Sequence, residues 1–385
     1  MLTLSSALPS FHPANCGGAV DQVACTPRPA QVAFFYASLY LVALAEGGHK
    51  PSVQAFAADQ FDQTDPKESI ARSAFFNWWC FAVYCGILVG FVVVSYVQDN
   101  LGEPLPPTSP RHWLHWRGPE LKQTQNTGLW ACSVGDVEEA KSLLRLFPTW
   151  ATCLIYAAVI NQPSTLFTKQ ASILDRSISK NFRVPPAALL TLTGAFAAAF
   201  IPIYDRLLVP AARRFTGRPS GITMLQRIGV GMVISLISIV VAALVETKRL
   251  RTAREFGLVD QPEATIPMSI WWMVPRYVLT GVADSFSLTG LQEFFYGQVP
   301  HALRSLGVAL YLSIFGVGNF IDGFMISAVN KITGGMGESW FSNNLNRAHL
   351  DYFYWLLAGL GVLELVLYLR FAQAYVYKKD RHSLA

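Results

Sequence analysis

IGVGMVISLISIVVAALV, residues Ile228–Val245, is a run of eighteen positions with no charged residue and no proline. At 1.5 Å of rise per residue, a helix of this length reaches about 27 Å, close to the roughly 30 Å hydrocarbon core of a bilayer. Lipid offers backbone amides and carbonyls no partners, so such a run pairs them internally and is read as a transmembrane helix. Working outward, seven similar runs follow the same rule. They are Ala30–Gly48, Ser73–Val97, Leu143–Phe167, Pro185–Tyr204, Ile270–Phe295, Leu303–Val329 and Tyr352–Val376. The chain therefore predicts an all-α, polytopic transmembrane bundle of about eight spans.

Composition agrees. Of 385 residues, 52% are hydrophobic and 14% charged, where soluble chains carry about 25% charged residues. The 25 Phe and 10 Trp suit a lipid-facing surface with aromatic belts. The net charge of +5 comes without basic clusters interleaved with aromatics, so no nucleic-acid partner is expected. Six Cys show no zinc-type spacing with His, and neither a metal nor a cofactor is expected. Cys80, Cys85 and Cys153 lie in apolar runs and read as packing residues. Cys16 and Cys25 flank a loop that could carry a disulfide if it lies outside the cytoplasm. The opening MLTLSSAL is too short to span and carries no secretory leader pattern.

Four charges interrupt the later runs: Arg276, Asp284, Asp322 and Glu364. Each costs about 2.5–3.5 kcal/mol at a span centre, so such residues face a bundle interior or a watery cavity. Several together suggest a polar pathway. Arg276, Asp284 and Glu293 fall eight and nine residues apart, within a broad sector of one helix. Glu364 fits no pattern. No His lies deep in a span, which argues against a His-based relay or anion site within the membrane. No nucleophile–base or metal constellation lies in the spans and no filter element repeats, so neither an enzyme nor a channel is expected.

Charge bias sets orientation. The loop DRLLVPAARRFTGRP carries Arg206, Arg213, Arg214 and Arg218, and the tail carries Lys378, Lys379, Arg381 and His382. Both read as cytoplasmic under the positive-inside rule. The loop Glu246–Asp260 mixes basic and acidic residues and falls outside. Lys67 and Arg72 place the loop between the first two runs inside as well. The second run then ends outside while the third starts inside, and the polar segment between them, Leu101–Glu139, cannot cross. Counting alone predicts that one helix is missing there.

The segment GGHKPSVQAFAADQFD (Gly47–Asp62) resembles the signature after the fourth helix of the proton-dependent oligopeptide transporter (POT/PTR) family, in its plant branch. SAFFNWWCF (Ser73–Phe81) is similar to the opening of the family's fifth helix. EEAKSLLRLFPTWATCLIYAAV (Glu138–Val159) with TLFTKQ (Thr165–Gln170) is similar to its seventh. GLQEFFYGQVP (Gly290–Pro300) and LRSLGVALYLSIFGVGNF (Leu303–Phe320) resemble its tenth and eleventh. The resemblance implies an incomplete major facilitator fold, which normally sets two six-helix halves around a cavity with alternating access. It divides the chain into a remnant of the N-terminal half (1–100), a polar linker (101–140) and a six-helix C-terminal half (141–385). It leaves helices one, two and six without counterparts, and with the first helix the ExxE(R/K) motif tied to proton coupling.

By the same resemblance, Lys50 and Glu293 face each other across the cavity, and proton or substrate breaks their pair. From the residues alone, Lys50 could equally snorkel to the headgroups and Glu293 end a helix. Asp284 stands where the family often has Glu. Gln162, Lys169 and Gln170 match a Q…FxKQ pattern that lines or lids the substrate site. Asp59, Asp62 and Arg72 belong to the signature loop and hold a helix end or a gate. Tyr36, Tyr40 and Trp272 are cavity or packing aromatics. The implied function is secondary, proton-coupled transport of peptides, nitrate or other organic anions, at the plasma membrane in preference to the vacuolar one. The partners are then the lipid bilayer, a small-molecule substrate and protons. The alternative is a transport-inactive, truncated membrane protein that at most associates with an intact relative.

Overall fold

The computed structural model describes residues 29–61, 65–100, 141–162, 166–179, 182–186, 188–217, 221–262, 264–335, 339–342 and 344–375. Cys16, Cys25, Asp62, Arg218, the linker 101–140 and the basic tail lie outside them.

All eight apolar runs are helical. α1 spans Pro29–Ala58 and α2 Pro66–Asn100. The third run is divided among α3 (Phe147–Ala151), α4 (Leu154–Ile160) and α5 (Leu166–Ser172). α6 (Ala188–Ile203) runs through a π turn at Tyr204–Leu208 into α7 (Val209–Thr216). α8 (Met224–Glu255), α9 (Val274–Gly297), α10 (Arg304–Gly334) and α11 (Leu350–Ala374) complete the bundle. Six of these helices are long and apolar enough to cross a membrane by themselves, and the bent third run makes a seventh. α9 is the eighth. It is more polar but is buried along most of its length between its neighbours. The fold class therefore stands as read from the sequence.

Some boundaries differ from the reading. α1 continues through Pro51 to Ala58, ten residues past the expected end at Gly48. The third run bends by 47° between 141–151 and 154–160. Pro148 has no amide to donate and sits in the first turn of α3, where that loss is harmless. Two short strand pairs escaped the hydropathy reading. Strand β1 (Leu174–Asp175) pairs in parallel with β4 (Ile266–Ser269), and β2 (Ser177–Ser179) antiparallel with β3 (Phe182–Arg183). All four lie at the outer end.

α8 starts from a full capping box: Thr223 and Gln226 each accept the other's backbone amide. Its 32 residues reach about 48 Å, so its outer end rises beyond the apolar slab. α8 and α9 form the centre. α6, α10 and α2 pack on α9, α11 packs on α8, and α1 packs on α10. Where backbones cross most closely the residue is glycine. A Cβ on Gly281 would stand 2.5 Å from the Thr193 carbonyl oxygen, and one on Gly318 would enter the Ala157 methyl.

Two apolar cores result. The outer one holds Phe167, Tyr277, Phe353 and Tyr354 and draws only on residues from Val159 onward. The inner one holds Phe294, Phe295 and Tyr296 together with Ala55, Ala58 and Phe76 of α1 and α2. The first two helices thus join the bundle through its inner end, the one that the charge bias assigns to the inside.

Candidate functional site

The start of α2, the π turn and α7, the start of α8 and the inner end of α9 border a cavity of about 260 Å³. Arg72, Asn77, Tyr204, Asp205, Arg213, Arg227 and Glu293 line it. Three guanidiniums face two carboxylates, so the lining is net positive. Arg227 organises it. One of its nitrogens donates to Asn77 Oδ1 at 2.8 Å and to the Ser285 carbonyl at 3.0 Å. Asn77 in turn donates to Asp205 Oδ1 at 2.9 Å. The Arg227 guanidinium lies 4.2 Å above the Tyr204 ring and 3.9 Å from the Glu293 carboxylate. A buried arginine needs such company, because an uncompensated charge here is costly. The contact to Glu293 is longer than a hydrogen bond, so it is the loosest link of the set.

Beside the cavity, Asp59 at the end of α1 accepts from Arg304 of α10 and, at 2.6 Å, from the Tyr296 hydroxyl of α9. His301 stands 4.0 Å away, and the Arg72 guanidinium lies 5.9 Å from the Tyr296 ring. This clasp ties the signature segment to the C-terminal half.

At mid-height Asp284 is buried. Its Oδ1 and the hydroxyls of Tyr84, Tyr156, Ser287 and Thr289 lack well-formed hydrogen bonds among the described residues, although Asp284 neighbours Tyr84 and Tyr156 neighbours Ser287. Gln162, also buried, donates to Asp322 Oδ1 at 2.9 Å and to the Ala158 carbonyl at 3.0 Å. One off-pattern charge in α10 is thereby matched to a predicted site residue.

At the outer end a third network closes. Arg249 donates to both oxygens of Glu246 at 2.6 and 2.7 Å, to Asn346 at 2.9 Å and to the Leu345 carbonyl at 2.7 Å. Gln170 donates to Glu246 at 2.6 Å and accepts from Arg276 at 2.8 Å. Arg276 also lies 3.6 Å from the Phe167 ring. The fork-to-fork geometry and full burial make this network the tightest polar unit of the chain among the described residues.

The sequence-derived residues therefore part company. Arg276, Asp284 and Glu293 do share α9, but they serve three levels, outer, middle and inner. Lys50 is not brought to Glu293. It pairs at 2.7 Å with Glu46 one turn back on α1, with 60% of its side chain exposed. Tyr36, Tyr40 and Trp272 lie on the outer surface, the last beneath the Lys248 ammonium. Sequence reasoning missed Arg227, Asn77, Asp205 and Arg304. Arg227 reads as a boundary charge just before the apolar run, and only its depth (4% exposed) reveals it.

Comparison with known proteins places this architecture. The sequence matches the POT family (PTR2) over residues 1–105 and 108–341. It is 46% identical to Protein NRT1/ PTR FAMILY 5.10 of Arabidopsis thaliana, over 98% of this chain and 78% of that protein. It is 43% identical to Protein NRT1/ PTR FAMILY 5.12 of the same plant, over 99% and 78%. The first alignment runs over 441 positions, and the chain has 385 residues, so at least 441 − 385 = 56 positions of the relative face gaps. Among solved structures the fold resembles an auto inhibited POT family peptide transporter (TM-score 0.61, 18% identity, 92% of this chain and 80% of that one). It also resembles the POT family transporter PepTSo (TM-score 0.59, 19% identity, 89% and 79%).

Proposed function

This chain belongs to the POT family of membrane transporters, and we propose that it moves small anionic or zwitterionic solutes, peptides or nitrate among them, by proton-coupled alternating access. The observation that carries this reading is the inner cavity, where Arg227 of α8 meets Glu293 of α9 loosely and reaches across to Asn77 of α2. A net positive lining suits a carboxylate or nitrate. A substrate anion on Arg227, or a proton on Glu293, weakens the same contact, so each ligand favours the arrangement in which that contact is broken. Lys50, exposed within the signature, offers a second cation, an ammonium, for a substrate carboxylate. Asp284 and its tyrosine neighbours supply a polar layer deeper in the bundle, and Gln162 separately holds Asp322 of α10.

The test is uptake into proteoliposomes of a labelled dipeptide and of nitrate, each with and without an inward proton gradient. Glu293→Gln should lose gradient-driven uptake by 10-fold or more yet retain exchange at equal pH, since removing a proton site uncouples without closing the pathway. Arg227→Ala should lose both. If no solute moves and none binds in the wild type, the transport reading fails.

A second reading has one observation in its favour: α1 leaves most of its apolar surface unpartnered. A transport-inactive chain associated with an intact relative would use that surface, and co-purification with a tagged relative distinguishes it. We place the chain in the plasma membrane rather than the vacuolar one, which a fluorescent fusion tests directly.

A further inference from the structure

The third span is broken at Thr152–Cys153, and the last span supplies what the break lacks. In an unbroken helix the amide of Tyr156 would donate to the carbonyl of Thr152. Here it donates to Glu364 Oε1 of α11 at 2.7 Å, and the amide of Ile155 points at the same carboxylate. Glu364 is 6% exposed in the middle of its helix, where a carboxylate needs compensation. Among the described residues no Arg, Lys or His forms an ion pair with it. Its compensation is the two amides.

The surroundings make this carboxylate able to take a proton. A small cavity of about 10 Å³ touches it, bordered by Tyr156 and Val159 of α4 and by Met232, Ser235 and Ile239 of α8. The titratable group facing it is the Cys153 thiol of the broken span, while the Tyr156 phenol is turned to Asp284 and Ser287. α8 presents the Ser235 hydroxyl and apolar side chains. On α11 itself, Tyr368 is turned to the Leu225 carbonyl. Across the break, Gly318 of α10 packs against Ala157 and stands, at its would-be Cβ, 3.1 Å from the Leu154 carbonyl. The distal half of the span is thus gripped between Gly318 and Glu364. It carries the Tyr156 ring toward Asp284 and leads to Gln162, which holds Asp322.

We propose that Glu364 is a proton-binding site that governs the bend in the third span. The ionised carboxylate holds the amides of Ile155 and Tyr156 by charge-assisted hydrogen bonds and keeps the span bent. A proton on it removes the charge and leaves one neutral acceptor, so the hold weakens and the two segments realign. The inference is separate from Glu293 and the inner cavity, and it holds or falls whether or not the chain transports.

Two spin labels test it, on Leu144→Cys before the break and Lys169→Cys after it, with the other cysteines except buried Cys153 replaced. Interspin distances are read in nanodiscs at low and high pH. The wild type should change its distance distribution with pH, and Glu364→Gln should hold the low-pH distribution at both. A wild type insensitive to pH overturns the proposal. So does a Gln variant that shifts as the wild type does, because the titrating group would then lie elsewhere. If the Gln variant does not fold, Glu364→Asp replaces it, withdrawing the carboxylate by one methylene. Retention of the wild-type high-pH distribution in Glu364→Asp overturns the proposal equally.

Discussion

The first two helices of this protein are somewhat less apolar than the later ones, and α1 is packed far less than any of them. The most apolar stretch of α1 has 6% of its residues buried and that of α2 17%, against 17% for α10, 33% for α6–α7 and for α11, and 50% for α8. Gly47, Gly48, Gly86 and Gly90, in α1 and α2, have open space where a Cβ would go, whereas Gly281 and Gly318 of the C-terminal half have none. The polar networks divide along the same line. The outer network of Glu246, Arg249, Gln170 and Arg276 closes within the C-terminal half. The inner one crosses the seam through Asp59 and Asn77. Hydropathy thus decides that a segment spans, and neighbours decide whether it is locked. The later helices are held together by the outer network among themselves, and the first two helices hold to them through the apolar packing of Ala55, Ala58 and Phe76 and a few polar contacts at the inner end.

The sharpest way to break this contrast is at the outer lock. Arg249→Ala leaves Glu246 buried without its partner and should cost about 3–5 kcal/mol, read as a collapse of the melting temperature in detergent. A variant that melts like the wild type would show that the outer end is not the stable pole. Next, Gly281→Val drives a side chain into the Thr193 carbonyl and should cost about 1–3 kcal/mol. Gly90→Ala should be neutral or up to about 1 kcal/mol stabilising through helix propensity. Equal effects from the two glycines would erase the distinction between the halves.

Asp59→Asn tests the seam. It removes a charge-assisted contact worth about 1.5–3 kcal/mol, and its effect should appear as faster proteolysis within α1 with little change in the melting of the C-terminal half. If both halves loosen together, the seam is more cooperative than its contacts suggest. The smallest effect is expected at Lys50→Ala, whose exposed pair with Glu46 should not move the melting temperature at all. A clear drop there would mean that Lys50 also serves a buried partner in solution.

Much of the bundle was legible from the chain. All eight runs proved helical, because lipid transfer is nearly additive along a segment and needs no partner to be evaluated. Of the residues read as a site, Arg72 and Glu293 line the inner cavity and Asp59 stands beside it, while Lys50 does not reach it. The division of the third run stayed hidden, since its apolar character continues through the bend. The role of Arg227 stayed hidden because charges before a span are commonplace at membrane surfaces. The expected pairing of Lys50 with Glu293 failed in this conformation for a simple reason: a glutamate one turn away satisfies the lysine first.

The sequence by itself determined which segments are long and apolar enough to be helices of a membrane bundle, and that Arg276, Asp284, Asp322 and Glu364 interrupt them. Those are properties of a residue and its near neighbours along the chain. Only the tertiary structure decided whom each charge meets. Gln162 reaches Asp322 across 160 positions, Arg227 reaches Asn77 across 150, and Glu364 reaches the Tyr156 amide across 208. In a medium that hydrates nothing, each buried polar group takes the partner that helix crossing brings within about 3 Å, and the order of residues does not state that crossing.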